Sequence, residues 1–473
     1  MEPGGRLMVR DVVVVGAGVA GLAAAAALAA DGASVTLLER RAFVGGRAYS
    51  YPHPALGQTI DSQHVVLGCC TNFVELMRQA GAADSIRWYD ELCFLEPVAG
   101  KPARRSWMRP GKLPAPAHQA VSFLHASMLS LRDKAAIAAG LARFLRGYPS
   151  SDHESFAAWL KRTHQTDRAI RHFWEPVIVG ALNDSFENCS VKYAGKVFYE
   201  SFLRSAAGGR LGIPARPLSE FFQPVVELAR ARGVDLRVAA GVDSLAQSPG
   251  GTWHVRGPKV DMDASTVVLA MDSHQAHALL KGLDKIPGSP IDFERTVRTP
   301  ITTVHLWYDR EVVDLDHAVL LDTRVQWMFA KHRIRGWDAG QGSYLELVIS
   351  ASVAELDMPR EQILASALRE LEMFFPQVRA ARLLKSAVLK EARATFSVVP
   401  GLDQYRPVQR TAYAGLFVAG DWTATEWPST MEGAARSGRL AAGEVVGQRT
   451  KFMAAELPAA GFMRLLTRDE GTT

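Results

Sequence analysis

Cysteine is scarce in this chain: four in 473 residues, and none of Cys69, Cys70, Cys93 and Cys189 stands in a CxxC spacing. That excludes a disulfide-stapled secreted scaffold and a thioredoxin-type or zinc-ribbon centre, and it suits reduced, mostly buried thiols in a cytoplasmic protein. The adjacent Cys69 and Cys70 read as core filling more readily than as a redox pair. No Lys/Arg run of nucleic-acid type occurs, although the net charge is +5 and the pI about 9.0. Nucleic acid is therefore not an expected partner, and the mild basic excess favours an anionic membrane surface. Metal-ligand spacings, internal repeats, low-complexity tracts and a convincing transmembrane segment are also missing, so no metal is expected. The hydrophobic share of 48% and charged share of 22% are ordinary for a globular protein. The length is too great for one core, so two or more domains are expected.

What the chain does have is concentrated between Val12 and Arg47. Four valines make a buried parallel strand, Gly16, Gly18 and Gly21 follow in the order GxGxxG, and an Ala-rich helix leads to a second strand ending at Glu39. In that setting Gly16 permits a tight turn, Gly18 lets the backbone approach a pyrophosphate, and Gly21 lets helix pack on strand. The helix start, at Val19 and Ala20, offers free N–H groups to phosphates. Glu39 lies at the distance where a carboxylate accepts from a ribose 2′-OH, which argues against a 2′-phosphorylated cofactor. Val12 to Ala30 is also long enough to cross a bilayer, and Arg6 and Arg10 with the alanines could mimic a secretory signal. Neither reading accounts for three glycines in register before a strand ending in Glu.

Beyond Glu39 come Arg40, then Gly45, Gly46 and Arg47, a turn that would bring a guanidinium back to the pyrophosphate. Near the other end, Leu416 to Ala419 reads as a buried strand. It runs into Gly420-Asp421, a loop, and a helix from about Thr430 holding Met431, Glu432 and Ala434 in its first turns. Asp421 can hold sugar-chain hydroxyls, and the helix start suits a flavin C2 carbonyl, which gains negative charge on reduction. An N-terminal GxGxxG paired with such a C-terminal strand, GD loop and helix is specific for flavoproteins.

Between these ends, Gln58 to Leu67 reads as strand and turn, with Asp61, Gln63 and His64 facing flavin or substrate, or serving as structural polar groups. Asn72 to Ala80 reads as an amphipathic helix stopped by Gly81. Residues 85–110 suggest two short strands. Residues 113–147 and 155–199 have helical composition, the first either a buried pair or a helix resting on lipid. Glu175, next to Trp174 in apolar company, invites a raised pKa and an acid's role, or an ion pair with a nearby Arg. Gly208 to Pro217 marks a domain crossing. A helix over 218–232, a strand over 234–238, a small meander and a strand over 265–270 follow. Residues 290–375 alternate like an antiparallel sheet before a helix over 360–374. The tail, 451–466, docks either on the body or on a membrane.

Together the end motifs resemble the superfamily of flavin amine oxidases and carotenoid desaturases. Four further stretches resemble its squalene-associated branch, the hydroxysqualene dehydroxylases: DSQHVVLGCCTN (61–72), LPAPAHQ (113–119), FWEPVIVGALN (173–183), and ARATFSVVPG with GDWTATEWPSTMEGAARSG (392–438). One departure stands out, Asp61-Ser62 where Asn-Gly is expected.

The resemblance implies an α/β fold: a Rossmann-like FAD-binding domain in segments 8–84, 208–288 and 391–450. An α+β substrate domain in 85–207 and 289–390 interleaves with it, before the tail 451–473. It implies FAD, held by Gly16, Gly18, Gly21, Glu39, Arg47, Asp421, Met431 and Glu432, with the Val242 backbone at adenine. It implies a hydrophobic isoprenoid substrate, peripheral contact with the inner face of the cell membrane, and a separate reductant for the flavin. The expected reaction is reductive loss of an allylic hydroxyl from hydroxysqualene. Glu175 or the Asp61/His64 pair would supply the proton. Trp174, Asn183, Phe198, Tyr199, Phe202, Trp427 and Pro428 would line the pocket, aromatic faces stabilising a passing cation. A carotene-type desaturase or amine oxidase of the same fold is the alternative enzyme, and an isoprenoid-binding escort without catalysis the alternative of another class.

Overall fold

Asp11–Val15 lies at the centre of a five-stranded parallel sheet because its four valines are buried on both faces. The order across the sheet is Asp235–Arg237, Ser34–Leu38, Asp11–Val15, Thr266–Leu269 and Leu416–Val418. Strands from the first, middle and last parts of the chain thus share one layer. This computed structural model describes residues 11–466 apart from 55, 282, 284–296 and 339. Residues 1–10, with Arg6 and Arg10, lie outside the described residues.

The helix Val19–Ala30 is nearly all alanine and buried on almost every side. The C-terminal helix Met431–Val446 packs directly on it, and Gly438 makes that approach close: a Cβ there would strike the Ala20 carbonyl. Gly16 to Gly18 separate strand from helix, so the apolar run that could have crossed a bilayer is two elements. No helix among the described residues is long and apolar enough to do so.

The second layer is a seven-stranded sheet ordered Leu383–Phe396, Arg298–Tyr308, Ser343–Ser350, Trp327–Ala330, His317–Leu320, Leu92–Glu96 and Arg104–Met108. Helix Arg360–Phe374 covers it through Ile363, Ala367, Leu371 and Phe374. Two of its strands come from residues 92–108, ahead of the helical segments. The expected helix over 113–147 is interrupted: Pro114 and Pro116 confine helix to Ala120–His125, and a capping box at Ser130 starts Leu131–Ala142 afresh. The segment 155–199 divides into Phe156–Arg162, Glu175–Leu182 and Val191–Phe198. Within the crossing at 208–217, Leu211–Pro214 is a buried strand pairing with Val66–Leu67 and Ile86–Tyr89.

Candidate functional site

The three fingerprint glycines are glycine for different reasons. Gly16 has φ +107°, and a Cβ there would run into the Ala270 carbonyl; one at Gly21 would enter the Gly16 carbonyl. Both serve the protein's own packing. At Gly18 the only atom within 4 Å of an added Cβ is Gly46 Cα, 3.8 Å away. The protein leaves open a cradle between two glycine backbones that a side chain would fill. Gly45 closes it from outside, its N–H donating to the Ala17 carbonyl at 2.9 Å. Gly18 caps the helix without a side-chain bond, and no acidic residue occupies the first turn. The N–H groups of Val19 and Ala20 therefore face the cradle as an anion seat.

Glu39 is buried, and its carboxylate accepts from the Ala17 N–H and the Arg41 N–H, each at 2.9 Å. These bonds fix its orientation at the rim of the cradle. Opposite it, Arg47 donates to Asp421 across 374 residues of sequence at 2.5 Å, and to the Ala394 carbonyl at 3.1 Å. Burial would raise the Asp421 carboxyl, but Arg47, Ser429 and Arg298 hold it below the ordinary carboxylate range. Thr430 caps helix Met431–Val446 by accepting from the Gly433 N–H at 3.0 Å. The first two N–H groups, of Met431 and Glu432, have no acceptor among the described residues.

These groups surround one cavity of about 670 Å³. Gly16, Gly18, Val19, Ala20, Glu39, Arg40, Gly45, Gly46, Arg47, Val242, Gly420, Asp421, Met431, Glu432 and Ala434 all line it; Gly21 lies behind, against Gly16. The far end is walled by Gln63, His64, Asn183, Lys196, Trp427 and Pro428. A glycine cradle for a pyrophosphate, a carboxylate beyond it for a ribose, an Arg–Asp clamp and a second free helix start fit FAD. The Glu432 side chain, however, is spent elsewhere. It accepts from the Asn72 and Phe73 N–H groups at 3.2 and 2.7 Å, capping the helix Thr71–Gln79, so only its backbone is free for a cofactor.

The expected acids separate. Asp61 lies outside the cavity wall and is wholly paired, to Lys331 at 3.1 Å, Arg335 at 3.0 Å, Ser50 at 2.9 Å and the Leu218 N–H at 2.9 Å. Burial opposes its ionisation, but Lys331 and Arg335 pull its pKa far below the ordinary range, so it holds no proton to give. Glu175 is half-buried; burial, Glu187 and Asp322 raise its pKa, but it is not among the residues that wall the cavity. His64 does line the cavity. Its Nδ1 lies 2.9 Å from the Ser62 carbonyl, so the proton sits on Nδ1 and Nε2 is left as an acceptor, and burial lowers its pKa. It is placed to take a proton rather than give one.

The aromatic lining is also redistributed. Trp174 and Phe198 are wholly buried, 4.6 Å apart between ring centroids, in a solid cluster with Phe156, Trp159, Phe173 and Phe202. Tyr199 stacks edge-on to Tyr148. None of these walls the cavity; they brace the helices that do. Asn183 lines it with φ +53° but spends its side chain joining a helix end to the sheet, accepting from the Ala351 N–H at 2.7 Å. Trp427 alone among the expected aromatics presents itself there.

Sequence reasoning missed two residues. Lys196 is 7% exposed, donates to the Tyr148 hydroxyl at 2.8 Å and lies 4.8 Å from the Trp427 ring centroid. Among the described residues no carboxylate pairs with it. Its only signal was a lysine on the apolar face of VKYAGKVF. Arg406 gave none, standing in an irregular loop, yet it donates to the carbonyls of Asp421, Thr423 and Trp427 at 2.8, 2.6 and 2.8 Å and holds the GD loop from beneath. Glu96, His172 and Asp322 also come together. Glu96 is already neutralised by Arg168 at 2.6 Å and Arg104 at 3.2 Å, which leaves little charge for a metal.

The model of the family described as flavin containing amine oxidoreductase matches residues 19–446. The chain belongs to that family. FAD is its cofactor, and the enzyme is an FAD-dependent oxidoreductase. Among flavin amine oxidoreductase relatives, the 15-cis-phytoene desaturase of Synechococcus elongatus is 26% identical, the match covering 93% of this chain and 97% of the relative. The zeta-carotene desaturase of Synechocystis is 25% identical, covering 94% and 99%. Solved structures share the fold: an oxidoreductase from Methanosarcina mazei with TM-score 0.69 at 18% identity, covering 90% of this chain and 98% of its own, and the cyclohexylamine oxidase of Brevibacterium oxydans with TM-score 0.64 at 19%, covering 93% and 99%.

Proposed function

We propose that this flavin oxidoreductase is a hydroxysqualene dehydroxylase, which removes the allylic hydroxyl of hydroxysqualene reductively to give squalene. The observation that carries this reading is convergence. Three of the four stretches that resemble that branch meet at the one cavity: Gln63 to Leu67 from the first, Gly180, Ala181 and Asn183 from another, Ala394, Thr395 and Trp427 from the last. They lie up to 364 positions apart between Gln63 and Trp427, and local structure does not require them to meet.

Reduced FAD, when bound, supplies a hydride at N5. The chain supplies the proton, since a hydroxyl leaves an allylic carbon as water only when protonated. We assign that proton to Lys196, the lysine that lines the cavity, whose Nζ lies 4.8 Å from the Trp427 ring centroid. The C–O bond breaks as the Lys196 proton moves to the leaving oxygen. The amine is then neutral, so positive charge developing on the carbon meets the Trp427 face instead of a second cation. The reading includes a bilayer-dissolved isoprenoid substrate, peripheral contact with the inner membrane face, and a separate reductant.

A second reading, a carotene-type desaturase running the flavin in the oxidative direction, is favoured by the names of the two desaturase relatives and by His64, whose free Nε2 suits a base. Anaerobic photoreduced protein mixed with hydroxysqualene is expected to reoxidise its flavin and release squalene, while oxidised protein mixed with phytoene stays oxidised. The reverse pattern establishes the desaturase. Lys196→Met is expected to lower squalene formation roughly 10²- to 10⁴-fold with flavin absorbance retained. Unchanged turnover removes Lys196 as the acid.

A further inference from the structure

Seven of the fourteen exposed large hydrophobic side chains among the described residues come from two short segments that touch. Leu113, Val121, Leu124 and Leu131 belong to one, and Phe462, Leu465 and Leu466 to the other. Leu131 and Leu465 are 80% and 83% exposed, far beyond what scattered surface leucines need explaining.

The two segments form one braced platform. The Phe462 N–H donates to the Ala115 carbonyl at 2.9 Å, and Gly461 sits so close that a Cβ would come within 2.7 Å of the Ala115 backbone. Within the first segment the Gly111 N–H donates to the His118 carbonyl at 2.6 Å, and Lys134 Nζ to the Leu124 carbonyl at 2.6 Å. The platform abuts the cavity wall: the Ala460 N–H donates to the Arg204 carbonyl at 2.9 Å, just past Glu200 and Ser201, which line the cavity.

Residues 97–132 hold six Lys/Arg and no Asp/Glu, and of these Arg104, Arg105 and Arg109 are ion-paired to Glu96, Asp314 and Glu91. Lys112 and Arg132 are exposed without an ion pair among the described residues, and exposed Arg464 donates to the Ala459 carbonyl at 3.2 Å. Exposed leucines beside unpaired cations match an anionic lipid surface, apolar within and negative at the headgroups.

We infer that this platform docks on an anionic bilayer, Leu124, Leu131, Leu465 and Leu466 entering the acyl boundary while Lys112, Arg132 and Arg464 meet the headgroups. It names the membrane partner of the reading above and rests on that reading for its purpose, delivery of a bilayer-dissolved isoprenoid to the adjoining cavity.

The test is co-sedimentation of the full FAD-loaded protein with vesicles of phosphatidylglycerol and phosphatidylcholine, and with phosphatidylcholine alone. Wild type is expected to bind the anionic vesicles at least tenfold better. The double variant Leu131→Asp, Leu465→Asp should lose at least tenfold of that binding with flavin absorbance and melting temperature retained, and Lys112→Glu, Arg132→Glu should lose the preference for anionic lipid. Wild type remaining in the supernatant, or leucine variants binding as wild type does, overturns the inference. A lipid-free dimer that the leucine variants dissolve, without vesicle binding, also overturns it and assigns the patch to a second copy. Vesicle binding intact in a protein that makes no squalene from detergent-dispersed hydroxysqualene supports the platform and sinks the dehydroxylase reading instead.

Discussion

Burial disfavours the charged form of four histidines in this protein, and that shapes its response to acid. Burial lowers the pKa of His64, His118, His305 and His317, to about 3 for His305 and about 4 for His317. Between those values and the ordinary 6.5 the unfolded chain takes up protons that the fold refuses, so stability falls as pH drops through that window. At pH 5 the loss is about 2 kcal/mol for each of His305 and His317. The midpoint of urea unfolding should therefore decline steadily from pH 7 to pH 5; a flat profile would contradict the burial argument. Asp61 acts in a lower window. Its pKa is depressed, so its contribution is present above about 4 and is lost below it. Asp61→Asn leaves Lys331 and Arg335 buried with one carboxylate, Glu346, and should destabilise by about 3–5 kcal/mol at pH 7, read by urea titration.

At the scale of elements, the strand–turn–helix at the start of the chain separates cofactor from fold. Gly18→Ala places a methyl where only Gly46 Cα lies within 4 Å, so the apoprotein should keep its stability to within about 1 kcal/mol while FAD affinity drops at least about tenfold. Gly21→Ala drives a methyl into the Gly16 carbonyl and should destabilise the apoprotein by several kcal/mol, roughly the range of core overpacking or more. Fluorescence titration with FAD and melting of both apo-variants check the pair. This turn was legible because its glycines, valines and alanines answer to local rules. The long strand Leu383–Phe396 was not, since its alternation is weak: most of it is only half-buried at a sheet edge, flanked by one neighbour. Nor were the breaks in residues 155–199, where composition stays helical but a side-chain cap at Thr166 restarts the helix.

Across the whole molecule, the clamp of Arg47 on Asp421 joins the two ends of the polypeptide over the cofactor cavity. Stripping FAD should lower the melting temperature, since a ligand bound only by the fold stabilises it in proportion to RT ln(1 + [L]/Kd). Arg47→Met should shrink that gap between holo- and apoprotein, and should also destabilise the apoprotein, because the Asp421 side chain it pairs with is only 4% exposed. An unchanged gap would mean the guanidinium does not hold the cofactor. The sequence by itself determined the cradle, the parallel strands and the cofactor class, because glycine conformation, valine burial and helix starts are decided within a few residues of each position. Only the tertiary structure decided that Asp61 is spent on Lys331 and Arg335, that Glu432 caps a neighbouring helix, that Trp174 and Phe198 fill a core, and that Lys196 reaches Trp427. A carboxylate, a ring or an ammonium has no fixed role along a chain; its pKa and its function depend on which distant groups the fold sets within a few ångströms of it.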